Sequence, residues 1–168
     1  LRRNVKRDLY NRTRLAKNSL WITNPYFSPP YGFLLRLKRA AKRGVDVRLL
    51  IPEKSDVFFM SWMARDFYPT LFRSGIRIYE YRSSILHAKT MIIDNWAATG
   101  SSNLNYRSFE HDLECDVILH ENSSVEILRQ QFERDLLSAQ EVYMTSSHLT
   151  RFESFMGQVI YLLFRHWI

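Results

Sequence analysis

The chain has 168 residues, enough for one ordinary domain or one half of a larger one. Hydrophobic residues make up 46% and charged residues 24%, which excludes a disordered tail, a collagen-like repeat and a polytopic membrane protein. The formal charge is +7, and the single cysteine, Cys115, excludes an intrachain disulfide and argues against a Cys-based metal site. Residues 1–17 carry seven basic side chains (Arg2, Arg3, Lys6, Arg7, Arg12, Arg14, Lys17) against one acid, Asp8, so nearly all the net charge lies there. Such a segment suits an anionic partner, a phospholipid surface or a nucleic acid, although a solvated helix face has the same composition. No signal peptide is visible, since no apolar run follows the arginines. The start at Leu1 reads as that of a fragment or a processed product.

Residues 5–19 predict a helix with a partial apolar face at Val5, Leu9, Leu15 and Ala16. Leu20–Ile22 predicts a short buried strand stopped by Asn24-Pro25, followed by a loop over 28–32. Phe33–Arg43 has helical spacing and ends at Gly44. Val45–Ile51 predicts a strand, Val57–Ser74 one long helix ended by Gly75, and Ile76–Tyr81 a third strand. This alternation argues for parallel strands joined by crossover helices. Lys89–Ile93 and Trp96–Thr99 then read as two strands around a turn at Asp94-Asn95. Leu113–Leu119 reads as another, and a helix is expected from Asn122 to about Val142. The fold class is therefore α/β: a mixed, mostly parallel sheet with helices on both faces. The expected organisation is a basic helix over 1–19, a catalytic half-domain over 20–142, and a linker with an amphipathic, aromatic tail helix over 143–168. In that tail Phe152, Phe155, Met156, Val159, Ile160, Leu163 and Trp167 share one stripe. It is too short and too charged to predict a membrane span, so it covers protein or lies in a membrane interface.

The sharpest local signal is His87-Ala88-Lys89. On a strand, residues two apart share a face, which would set an imidazole beside an ammonium. The imidazole can attack or shuttle a proton near neutral pH, and the ammonium can hold an anionic oxygen. Asp94 stands where that strand ends and is better placed to fix the strand end than to join them. After the next strand, Gly100 would let the backbone approach a ligand, while Ser101 and Asn103 supply neutral donors. Glu114, at the head of a later strand, could hold an imidazole N–H and fix its tautomer. Phe58, Phe59, Met60, Trp62 and Met63 read mainly as helix core, with an acyl-chain wall as the alternative.

The pattern His87-x-Lys89-x4-Asp94 followed by Gly100-Ser101-x-Asn103 resembles the phospholipase D superfamily. Trp21–Phe27, Arg43–Pro52, Gly75–Tyr81, Leu86–Lys89 and Thr99–Leu104 further resemble the C-terminal half of bacterial cardiolipin synthases, over roughly residues 5–142. The resemblance implies two H-x-K motifs meeting at a pseudo-twofold interface, no metal and no cofactor. One His forms a phosphohistidine, and the other protonates the leaving alcohol and then deprotonates the acceptor. It implies that His87 is nucleophile or general acid, with the acid role expected for a C-terminal half. Lys89 and Asn103 would bind phosphate with Ser101 in support, Glu114 would orient a His, and Asp94 would be structural. This sequence holds one H-x-K motif; His111, His120, His148 and His166 lack the lysine. A second half-domain, either an absent N-terminal half or a homodimer partner, is therefore expected to complete the site.

The function so implied is a phosphatidyltransferase making cardiolipin, acting peripherally on anionic phospholipid at the cytoplasmic face of a bacterial inner membrane. The alternatives are a metal-independent phosphodiesterase acting on nucleic acid, a phospholipid hydrolase of the same superfamily, and a non-catalytic lipid-binding half-domain.

Overall fold

The computed structural model describes residues 2–144 and residue 159. The tail-helix expectation over 143–168 falls almost wholly outside the described residues. The elements in chain order are α1 (Arg2–Leu15), β1 (Ser19–Thr23), α2 (Tyr31–Lys42), β2 (Asp46–Pro52), α3 (Phe58–Asp66), α4 (Tyr68–Phe72) and β3 (Arg77–Tyr81). They continue with β4 (Thr90–Ile93), β5 (Trp96–Gly100), α5 (Tyr106–Glu110), β6 (Asp116–Leu119), α6 (Asn122–Leu136) and β7 (Ala139–Val142).

The strands form one seven-stranded sheet in the order β6-β5-β4-β1-β2-β3-β7. The sheet is mixed, as the sequence predicts. Its balance differs from the mostly parallel expectation: β1–β2 and β2–β3 are parallel, and the other four pairings are antiparallel. Parallel pairing needs a crossover. Helix α2 carries the chain from β1 to β2 and α3–α4 carry it from β2 to β3, whereas α6 joins β6 and β7 at opposite edges of the sheet, where the two strands are not neighbours. The tight turn at Asp94-Asn95 forces β4 and β5 antiparallel.

Both faces are covered. On one, Leu20, Ile22, Leu49, Ile78 and Met91 pack against Phe33, Leu37 and Ala40 of α2, Tyr68 and Leu71 of α4, and Phe109 of α5. Helix α1 joins this layer through Tyr10, whose ring stacks on Phe33 at 5.7 Å, and the adjoining Ala16 packs there too. The inward positions of α1 are Leu9, Tyr10 and Thr13, whereas Leu15 is exposed. On the other face α6 seals Trp21, Leu50, Tyr79 and Ile92 with Val125 and Phe132. The Trp21 ring lies 5.2 Å from Phe132, and the guanidinium groups of Arg48 and Arg129 sit 4.5 and 4.7 Å from it.

Three elements differ from the sequence expectation. The single helix over 57–74 is two, because Pro69 lacks the N–H that would continue α3 and instead opens α4. The helix from Asn122 ends at Leu136, and 139–142 instead pairs antiparallel with β3. The strand expected from Leu113 begins only at Asp116.

Candidate active site

The sheet directions bring the site together. Strands β1, β2 and β3 all end at the same edge of the sheet, where antiparallel β4 begins, β5 ends and β6 begins. The segments just beyond these strand ends therefore converge: Asn24–Tyr26, 53–57, 82–89, 101–103 and 113–115. The 82–89 segment has the longest path. It runs from the end of β3 to the start of β4 and must cross the ends of β2 and β1, about 14 Å at the usual strand spacing. His87 and Lys89 lie on this crossing rather than on a strand, which begins only at Thr90. The same-face argument from strand alternation therefore does not apply. The Lys89 ammonium instead reaches back to donate to the His87 carbonyl at 2.8 Å. Burial lowers the Lys89 pKa, while the carboxylates of Glu114 and Asp56 act in the opposite sense.

Ser101 and Glu114 do meet. The Ser101 hydroxyl donates to Glu114 Oε2 at 2.5 Å and accepts from the Cys115 N–H at 2.9 Å. In the described residues Glu114 thus holds a serine, with its charge also facing Lys89, and no bond to His87 is formed. Ser102 is fixed to Asp116 through its N–H at 3.2 Å and its hydroxyl. The Asn24 carboxamide accepts from the Leu104 N–H at 3.1 Å and donates to the Ser102 carbonyl at 3.3 Å, pinning the 101–104 loop from beneath. Asn103 has a buried side-chain oxygen without a hydrogen-bond partner among the described residues. A polar atom so placed is costly unless a further group arrives to satisfy it.

Gly100 has a role other than ligand approach. A Cβ there would lie 2.3 Å from the Cys115 carbonyl and from Asp116 Oδ1, so the glycine permits the close passage of β6. Asp94 lies at the far end of β4 from His87. Its carboxylate accepts the backbone N–H groups of Lys17, Asn18 and Ser19 at 2.9, 2.8 and 3.0 Å, clamping the chain where it enters β1. Burial opposes that charge, but the three donors outweigh it and hold the carboxyl below its ordinary pKa. Of the apolar run, Met60 and Met63 are core, whereas Phe59 and Trp62 are half-buried.

Two side chains beside His87 are not picked out by the sequence pattern. The Tyr26 ring meets the imidazole edge-on with centroids 5.7 Å apart, and its hydroxyl donates to both oxygens of Asp56 at 2.8 Å. Asn24-Pro25-Tyr26 reads locally as a strand stop and Ser55-Asp56 as a helix start. Only the crossing of 82–89 over the ends of β1 and β2 brings them to His87.

A family described as "Cardiolipin synthase, PLD-like domain" matches residues 9–136. The chain belongs to this phospholipase D-like family. It is 38% identical over 137 residues to "Cardiolipin synthase 2" of Bacillus anthracis, which covers 81% of this chain and 27% of that protein. The chain thus spans about a quarter of the length of that curated relative. Among solved structures, the phospholipase D family member Nuc from Salmonella typhimurium superposes with a TM-score of 0.70 at 24% identity, over 82% of this chain and 90% of that one. Phosphatidylserine synthase from Haemophilus influenzae superposes with a TM-score of 0.75 at 11% identity, over 95% of this chain and 42% of that one. These two likenesses concern the fold. The phospholipase D-like fold places the H-x-K segment across the strand ends, and no helix among the described residues is long and apolar enough to cross a membrane.

Proposed function

We propose that this phospholipase D-like chain is the catalytic half of a phosphatidyltransferase that makes cardiolipin through a phosphohistidine intermediate. The observation that carries the reading is the gathering of His87, Lys89, Ser101 and Asn103 in the loops at one sheet end of a domain 38% identical to a cardiolipin synthase. Lys89 supplies a cation for the phosphoryl oxygens, and the buried Asn103 Oδ1, an acceptor without a partner among the described residues, is left for an incoming donor. One imidazole attacks phosphorus while a second protonates the departing alcohol. The acceptor hydroxyl then displaces the imidazole and gives its proton to the second. His87 supplies one imidazole, in the acid role, and a second H-x-K half-domain supplies the other. Glu114 in that assembly orients a histidine as well as Ser101. The donor is an anionic phospholipid, reached peripherally at a bacterial membrane surface.

The test uses the full-length protein with radiolabelled phosphatidylglycerol in vesicles. Expected are labelled cardiolipin, an acid-labile phosphoprotein, and activity that persists in EDTA. His87→Ala should abolish turnover, since acid–base and covalent roles are not replaced by neighbours. His87→Ala activity within about tenfold of the parent would overturn the reading. Phosphatidic acid as the sole product would make the enzyme a hydrolase instead.

A further inference from the structure

The Tyr26–Asp56 pair has more order than an exposed loop needs. Asp56 lies between β2 and α3 and is largely solvent-exposed, yet its carboxylate is fixed by three donors. Besides the Tyr26 hydroxyl these are the Ser55 hydroxyl at 3.2 Å and the Val57 N–H at 3.1 Å. Tyr26 is itself held, its N–H donating to Asn24 Oδ1 at 3.2 Å. Exposed polar pairs contribute little to stability, so the fold gains little from this arrangement. Its position is what stands out. The tyrosine ring contacts the imidazole, the His87 charge acts on Asp56, and the Asp56 charge acts on Lys89. Burial pushes the Tyr26 phenol up to about 12, followed by its hydrogen bond to Asp56 and the Asp56 charge, so the phenol stays a donor. Burial also works against the Asp56 charge, but the Tyr26, Ser55 and Val57 donors and the His87 charge outweigh it and keep the carboxyl below its ordinary pKa.

We propose that Tyr26 and Asp56 form a positioning pair for His87: the Tyr26 ring sets the plane of the imidazole, and its hydroxyl holds Asp56 where the carboxylate supports the imidazolium form. Among the described residues, the charged groups at this end of the sheet include Asp56 from the segment after β2, on which His87 acts, and Lys89 from the same segment as His87, on which Asp56 and Glu114 act. Asp56 is the carboxylate on the β2 side and Glu114 the one on the β6 side. An acid must be protonated before it donates. The Asp56 carboxylate held beside it favours the proton-carrying form of His87 relative to a variant in which that charge is removed. The inference deepens the proposed function and rests on His87 acting as an acid–base group.

The experiment is NMR titration of ring-labelled histidines in the full-length protein, with the His87 signal identified by its loss in His87→Gln. The kinetics of Tyr26→Phe, Asp56→Asn, Asp56→Glu and the double variant are measured alongside. In Asp56→Asn the His87 titration should move to lower pH by several tenths of a unit. In the same variant kcat should fall by roughly threefold to tenfold, with KM within about twofold. Asp56→Glu should recover part of the loss. Tyr26→Phe should move both readouts the same way by less, and the double variant should match Asp56→Asn, because the two residues act through one contact. A His87 titration unmoved in Asp56→Asn overturns the inference while leaving standing the function that His87→Ala tests. Additive losses in the double variant overturn the coupling of the two residues.

Discussion

Asp94 and Gly100 belong to the signature that marks the site, yet both act on the backbone. Asp94 adopts φ +50°, a left-handed conformation that Asp and Asn tolerate best, so Asp94→Asn removes the charge without new backbone strain. Three N–H groups at the entry to β1 then lose an anionic acceptor. Hydrogen bonds to charged groups are worth about 1.5–3 kcal/mol in protected sites, and solvent screening at this partly open position reduces the expected cost to about 1 kcal/mol at pH 7. The sign with pH follows from the lowered pKa. A depressed carboxyl stabilises the fold fully above the unfolded value of about 3.9 and loses that contribution as pH falls through its lower folded value. Urea denaturation of parent and Asp94→Asn should therefore differ at neutral pH and converge as pH falls through the lowered folded-state value. A gap that stays constant to acid would refute the clamp. Gly100→Ala is the harsher change, because its Cβ would meet the carbonyl of Cys115 and Asp116 rather than the end of a flexible side chain. A cost of about 1–3 kcal/mol is expected, together with displacement of Ser101 and loss of turnover. Near-parental stability and rate would show that β5 and β6 can separate freely.

Between elements, the join that most affects the site is the polar cluster fixing α3 and α4 to β3. Glu80 is buried on β3 and accepts from Arg65 Nε at 2.9 Å and from the Tyr68 hydroxyl at 2.8 Å. Arg65 also donates to the Glu53 carbonyl at 3.2 Å, so the same guanidinium fixes the start of the segment that carries Asp56. Removing one partner of such a set leaves the other desolvated and unpaired. Glu80→Ala is expected to cost about 3 kcal/mol in urea unfolding, and Tyr68→Phe about 1 kcal/mol. A Glu80→Ala loss below about 1 kcal/mol would mean that water replaces the carboxylate at no cost. The sequence pattern shows Glu80 only as one polar residue in an alternating strand. It hides the cluster because Arg65 and Tyr68 fall on what reads as a single helix. Strands β1 to β5 and helix α2 were legible within a residue or two, since apolar period and the Gly44 and Gly75 stops agree with tertiary structure. Strand β7 was not. Ala139-Gln140-Glu141-Val142 has little β propensity, and its strand form comes from the open edge of β3, reinforced by the Arg77–Glu141 pair at 2.8 Å. The site divides in the same way. His87, Lys89, Ser101 and Asn103 were legible because their spacing is local, whereas Tyr26 and Asp56 reach His87 only through strand order.

Over the whole molecule, the positive charge between residues 6 and 17 splits into two groups. Lys6 pairs with Glu110, and Arg12 pairs with Asp8 at 2.7 Å while lying 4.7 Å from the Trp96 ring. These side chains tie α1 to the domain. Arg7, Arg14 and Lys17 are exposed; Arg7, Asn11, Arg14 and Leu15 follow helical spacing along the outer side of α1, and Lys17 lies just past its end. That side combines cations with one exposed leucine, as an interfacial helix does, while the inner side fills the core. Each Lys or Arg near an anionic leaflet contributes about 1 kcal/mol. Arg7→Gln/Arg14→Gln/Lys17→Gln in the full-length protein should therefore weaken co-sedimentation with phosphatidylglycerol vesicles by roughly a hundredfold, with little change on phosphatidylcholine vesicles or in thermal unfolding. Lys6→Gln and Arg12→Gln should do the reverse, lowering stability while leaving vesicle binding nearly intact. Equal binding by the triple variant and the parent would leave the outer side of α1 as an ordinary solvated helix face.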